Sequence, residues 1–298
     1  MKLTNPLKPG DTIGICAPAR KVTPEEMRPG IALMESWGLK VHCAKNLYGS
    51  YHQFSGTDEE RSADMYSLLE DPEVKAIICA RGGYGCMRIV DRIDFSSIAA
   101  RPKPLIGFSD VTVFLQHVQQ WSGWDALHAP MVYSMAEDRT SPEAIGDLRR
   151  LLFGEDIRYE IPSSPLERKG EAEGILMGGN LSLLYALSGS ASDTDMRGKI
   201  LFMEDLDEYL YHVDRMMMQL KRSGKLASLK GLIVGGMSDM KDNAVPFGST
   251  AEEIIIRAVE DYDYPVCMNF PAGHIRENHP LIFGKTVKLT VGDMVRLV

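Results

Sequence analysis

Short apolar runs alternate with capped amphipathic stretches through the first half of this 298-residue chain, and that alternation admits few folds. Asp11–Ala17 reads as a strand. Thr23 then serves as an N-cap, with Pro24 at the first helical position and Glu25 and Glu26 in the first turn. That helix is expected to end near Trp37-Gly38, before a strand over Val41–Ala44. Thr57-Asp58-Glu59-Glu60 is a capping box opening a helix through Leu69, which stops before Asp71-Pro72. Lys75–Ala80 is almost continuously apolar, as a strand covered on both faces must be. Leu105–Gly107 leads into a helix over Val111–Gln120, and Ala126–His128 is a further strand-like turn. Strands and helices in this alternation build a parallel sheet through right-handed crossovers.

Phe153–Gly174 breaks the rhythm. Rich in Gly, Pro, Ser and charge, with Pro162-Ser163-Ser164-Pro165 at its centre, it reads as a linker. The chain resumes with Gly178–Ser188, a strand over Lys199–Met203 and a long helix from about Asp207 to Arg222. A strand over Gly231–Gly235, a helix over Ala251–Tyr262 and a strand over Pro265–Phe270 follow, and Val291-Gly292-Asp293 marks a terminal hairpin. The expectation is two α/β domains divided near residue 160, spanning residues 1–155 and 172–298, a reasonable partition for a chain of this length.

Charge and cysteine usage narrow the partners. Against 41 Asp and Glu stand 33 Lys and Arg, a net charge of −8, so there is no basic excess to hold nucleic acid or an anionic membrane. Met1–Asp11 has no apolar core of signal-peptide length, and runs such as Ala76–Ala80 and Leu232–Val234 are far too short to span a bilayer. Cys16, Cys43, Cys79, Cys86 and Cys267 are odd in number and scattered, which fits buried reduced thiols in a cytoplasmic protein. No pair of them has zinc-ligand spacing, and no metal is expected.

Parallel sheets present ligands beyond the carboxyl ends of their strands, so chemistry is sought there. Arg81-Gly82-Gly83-Tyr84-Gly85 follows a strand, and its glycines let backbone N–H groups approach an anion. A sharp turn that merely needs glycine reads equally well, but Arg81 favours an anion or oxyanion site. Gly107-Phe108-Ser109 begins a nucleophile elbow whose closing glycine is replaced by Val111. Taken alone, Ser109 reads as a helix cap rather than as a nucleophile, because Ser or Asp commonly precedes an apolar helix. Glu204 and Asp205 end an apolar strand, whereas Asp207 and Glu208 suit the dipole of a following helix. His128 and His274 stand at strand ends, and spacing leaves His279 open as a rival to His274. Ser, Glu and His in that order form a coherent set. A serine hydroxyl needs a base, a histidine supplies it, and a carboxylate orients the imidazole.

These segments resemble the LD-carboxypeptidase family of serine peptidases (family S66), whose sister branch contains microcin C immunity peptidases. The resemblance is carried by Arg81–Gly85, Gly107–Thr112, His128-Ala129-Pro130-Met131, Gly178-Gly179-Asn180-Leu181, Glu204-Asp205 with Asp214-Arg215, and Gly273-His274 with Phe283-Gly284. Ala129 departs from the family pattern, where glycine is commoner. The resemblance implies a flavodoxin- or Rossmann-like N-terminal domain and a smaller mixed α/β C-terminal domain with the site between them. It also implies Ser109 as nucleophile, Glu204 as the acid and His274, which follows a glycine, as the base. The activity it implies releases a terminal D-amino acid from murein tetrapeptide, with no metal or organic cofactor, in a homodimer. On that basis the Asp110 backbone N–H and one from Gly82-Gly83 would hold the oxyanion, and Arg81 would read a substrate carboxylate. The rival readings are an immunity-type peptidase cleaving an acylated nucleotide conjugate and a non-catalytic α/β ligand-binding module. The absence of a long insertion in the second domain weighs against the first.

Overall fold

A computed structural model describes residues 1–98, 100–120 and 124–298. Its first sheet is built from β1 (Thr12–Cys16), β2 (Lys40–Cys43), β3 (Val74–Cys79), β4 (Leu105–Gly107) and β5 (Ala126–His128), all parallel, in the order 2-1-3-4-5. That is the flavodoxin-like order, which reverses between β1 and β3 and so opens a crevice at their carboxyl ends. The helices between these strands start where the capping residues place them. Thr23 and Thr57 each accept the backbone N–H three residues on, while Glu26 and Glu60 reach back to the cap.

The second sheet takes β6 (Tyr159–Pro162), β7 (Gly170–Asn180), β8 (Lys199–Leu206), β9 (Gly231–Ser238), β10 (Val266–Cys267), β12 (Thr286–Val291) and β13 (Met294–Leu297). Its strand order is 10-9-8-7-12-13-6, parallel from β10 to β7 and antiparallel beyond. β11 (Leu281–Phe283) does not join it. This strand pairs antiparallel with β5 and closes the first sheet with chain from the carboxyl-terminal half.

Three expected features differ. The stretch read as a linker contains β6 and the start of β7, because Tyr159–Pro162 finds its partner far along the chain in Met294–Leu297. The helix expected from about Asp207 runs instead over Leu210–Arg222. Asp207 adopts a left-handed φ of 60° and its N–H binds Ser238 O at 2.9 Å, so β8 ends in a turn. Cys43 is exposed on the edge strand β2, whereas the other four cysteines are buried, and all five are free thiols. No helix among the described residues is long and apolar enough to cross a membrane.

Alternation along β8 positions the site. Leu201 and Met203 face one apolar cluster, whereas Ile200 and Phe202 face the other, which runs continuously into the first sheet. With a side-chain period of two, Glu204 shares the Phe202 face and looks toward the first sheet. The helix after Ser109, Thr112–Val118, docks on the end of β7, where Gln116 donates to Gly178 O and Thr112 Oγ1 accepts the Asn180 N–H at 3.1 Å. A Cβ on Gly179 would lie 2.6 Å from Thr112, so glycine there lets the helix seat closely.

Candidate active site

β4 delivers Ser109 at a strand–turn–helix junction. Phe108 is extended, Ser109 takes φ = 60°, and Ser109–Val111 forms a single 3₁₀ turn leading into the helix. A left-handed conformation at a non-glycine residue costs about 1–2 kcal/mol and is held only where the surroundings impose it. Val111 stands where the elbow's closing glycine would be, and its side chain packs over Gly107. A Cβ at Gly107 would sit 2.7 Å from Val111 Cγ1, so the small residue has been kept on the strand side.

The loop after β3 lies directly against this serine. A Cβ on Gly82 would fall 2.9 Å from Ser109 Cβ, 3.0 Å from Ser109 Oγ and 3.4 Å from the Asp110 nitrogen. Gly83 and Gly85 have φ of 116° and 145°, which explains two of the three glycines by conformation and the first by proximity. Two buried side chains brace the loop. Asp110 Oδ2 accepts the Cys86 N–H at 2.8 Å, and Arg61, only 1% exposed, donates to Gly85 O at 3.0 Å and to Pro18 O. Burial raises the Asp110 carboxyl despite the N–H groups it accepts.

Glu204 and His274 come from the second half of the chain. Glu204 is fully buried, and its Oε2 lies 2.6 Å from His274 Nδ1 and accepts the His274 backbone N–H at 3.1 Å. Gly273, at φ = 110°, permits this approach: a Cβ there would be 2.8 Å from the Glu204 side chain. Burial works to depress the His274 imidazole, but the facing Glu204 charge and hydrogen bond outweigh it and raise it above the ordinary histidine value. Burial works to raise Glu204, and His274 outweighs that in turn, holding the carboxyl below its ordinary value. An ionised carboxylate accepts only, so the proton in this bond sits on Nδ1 and leaves Nε2 as the basic nitrogen. The Phe108 ring packs on the imidazole with centroids 4.8 Å apart.

Ser109, His274, Arg81, Gly82 and Gly83 line one cavity of about 380 Å³. A larger hollow of about 510 Å³ lies at the amino ends of β1 and β3, and none of the described residues lining it is Ser, Cys or His. Among the described residues, Asp205, Asp207, Glu208, His128 and His279 do not line the Ser109 cavity. His279 Nδ1 is 2.8 Å from Asp147, Asp207 pairs with Lys241 at 2.6 Å, and Glu208 faces His212 at 2.5 Å. Asp205 accepts from Asn180 Nδ2 and the Ser182 N–H, both at 2.8 Å, and burial beside Glu204 pushes it up to about 7. His128 is fully buried against Phe202, and that burial pulls it down to about 4. Among the described residues, no three His, Cys, Asp or Glu side chains are grouped to hold a metal.

Sequence reasoning missed Tyr133 and Arg139, which line the same cavity from a 3₁₀ turn and its continuation after β5. The arginine was visible only as one of three successive charges, Glu137-Asp138-Arg139, with no strand end or glycine beside it.

Comparison with known proteins places both halves of the chain. A family model described as LD-carboxypeptidase N-terminal domain matches residues 13–129, and the corresponding C-terminal domain model matches residues 173–289. A probable murein peptide carboxypeptidase of Bacillus subtilis is 34% identical over 98% of this chain and 92% of its own length. The murein tetrapeptide carboxypeptidase of Pseudomonas aeruginosa is 29% identical over 93% of this chain and 92% of its own. Among solved structures, muramoyltetrapeptide carboxypeptidase from Oxalobacter formigenes matches with a TM-score of 0.87 at 28% identity, covering 96% of this chain and 97% of that one. The microcin C7 self-immunity protein MccF in complex with glutamyl sulfamoyl guanosine gives a TM-score of 0.87 at 21% identity, over 100% of this chain and 98% of that one, and so shares the fold.

Proposed function

The chain belongs to the LD-carboxypeptidase family, and from that premise we propose that it is a serine carboxypeptidase that releases a terminal D-amino acid from murein tetrapeptide through Ser109, His274 and Glu204. The observation that carries the reading is a single juxtaposition. Ser109, held at φ = 60°, shares a cavity with a histidine whose other nitrogen is tied to a buried carboxylate.

In this mechanism Nε2 of His274 takes the Ser109 hydroxyl proton as Oγ attacks the carbonyl of the bond to the D-residue. The imidazolium is stabilised by Glu204, which stays ionised. The carbonyl oxygen becomes an oxyanion, for which the backbone N–H of Asp110 and one from Gly82-Gly83 are the donors. Each such donor contributes typically about 2.7–4 kcal/mol. The tetrahedral species collapses when His274 returns its proton to the leaving amine, and an acyl-serine remains. Water, deprotonated by His274, attacks that ester, and the proton passes back to Ser109. Arg81, on the cavity wall, supplies positive charge to a substrate that carries carboxylates while the whole chain is acidic.

Residues 1–155 would carry the nucleophile, and residues 172–298 the acid and base. The relatives named for murein peptides support a role in cell-wall recycling. The free cysteines support a reducing, cytoplasmic setting, and the family resemblance supports a homodimer. Labelling with a serine-directed phosphonate tests the nucleophile: the adduct mass is expected on the peptide containing Ser109. An adduct on another serine, with activity lost, would overturn the assignment.

A further inference from the structure

Two arginines line the Ser109 cavity, and their charges are matched differently. Arg81 Nη1 lies 3.7 Å from Glu26 Oε1. Arg139 has no Asp or Glu within ion-pair distance among the described residues. Its Nη1 donates to Tyr133 O at 2.8 Å, which fixes the guanidinium without neutralising it. The guanidinium carbons of Arg139 and Arg81 lie 3.7 and 4.0 Å from the centre of the same Tyr133 ring. Two groups that close to one ring centre cannot share a face without overlapping, so the tyrosine stands between them. Its π-faces favour both cations and keep them apart.

We infer that Arg139 is the specificity-determining residue that binds the free C-terminal carboxylate of the departing D-residue. This rests on the carboxypeptidase reading of the same site. That carboxylate lies one residue beyond the attacked carbonyl, so its partner must stand in the cavity that holds Ser109, and Arg139 does. A planar fork of N–H donors matches a carboxylate in two parallel hydrogen bonds, and a guanidinium already stacked on an aromatic ring loses little freedom in making them. Arg81 is the weaker claimant, because Glu26 already offsets part of its charge. Tyr133 is the positioning residue, holding Arg139 by its ring and its carbonyl.

The test measures binding to Ser109→Ala enzyme by calorimetry, using a tetrapeptide ending in D-Ala and the same peptide ending in D-alaninamide. The acid is expected to bind roughly 10- to 100-fold more tightly than the amide. Adding Arg139→Gln should collapse that ratio to near one, the acid losing far more affinity than the amide, in a protein whose circular dichroism spectrum and melting temperature match those of its parent. Arg139→Lys should restore part of the ratio. A ratio that survives Arg139→Gln, or equal weakening of both peptides, would overturn the assignment. D-Ala release by the Ser109→Ala enzyme would instead overturn the underlying reading of the site, so the two failures are distinguishable.

Discussion

One oxygen of Glu204 receives His274 twice, from the ring Nδ1 at 2.6 Å and from the backbone N–H at 3.1 Å. The first contact sets the tautomer and the second sets where the ring stands, so the imidazole's protonation and its position both depend on one buried carboxylate.

Glu204→Gln removes the charge and keeps the shape. His274 must be neutral to accept the serine proton, so activity rises with pH through its pKa, which Glu204 holds above the ordinary value. Without that charge the acidic limb should move to lower pH, and kcat should fall by roughly 10³–10⁴. Profiles of kcat/KM against pH for both enzymes check this. A limb that stays in place or moves upward would contradict it.

The φ of 60° at Ser109 can be measured as strain. Ser109→Gly and Ser109→Ala both lack the hydroxyl, but only glycine adopts that conformation freely. The Gly variant should be about 1 kcal/mol more stable than the Ala variant by urea denaturation, the usual sign of a backbone held in the left-handed region. An Ala variant as stable as the Gly variant would mean that the turn relaxes.

Gly82→Ala places a methyl 2.9 Å from Ser109 Cβ and 3.0 Å from its Oγ. The nucleophile or the loop must move, and displacements of that size cost roughly 10²-fold in rate. The expected outcome is that loss in kcat with a native circular dichroism spectrum, while unchanged turnover would remove Gly82 from the site.

His128 gives the protein an acid sensitivity that is read as stability rather than as turnover. Its ring is enclosed by Phe108, Phe202 and Phe283 and faces the charges of Glu204 and His274. Burial pulls it to about 4. The unfolded chain therefore binds this proton first. There is no penalty above about pH 6.5, and as pH falls toward 4 the folded state loses about 3 kcal/mol relative to the unfolded chain. His128→Phe removes the titration, so wild type should lose stability relative to this variant across that window. Parallel curves would contradict the prediction.

Ser109 follows β4 and Glu204 lies near the end of β8, where the strand-end rule points and where local sequence suffices. The strand expected over Pro265–Phe270 stops at Cys267, so His274 does not stand at a strand end and was chosen as the base only through the family resemblance. The choice of His274 over His279 was not local. His279 is occupied by Asp147, 132 positions earlier in the chain. β6 was hidden for a similar reason: Tyr159-Glu160-Ile161-Pro162 is too short to declare itself and becomes a strand only against Met294–Leu297. Arg139 was missed because nothing around it in sequence marks a site. The role inferred for it rests on Tyr133, six residues away, and on Arg81, which follows the end of β3.

The most direct measurement of the central claim is release of D-Ala from murein tetrapeptide by purified wild-type and Ser109→Ala protein. The account predicts steady release by the wild type and none above background by the variant, with both folded. Release at the wild-type rate by Ser109→Ala would contradict it.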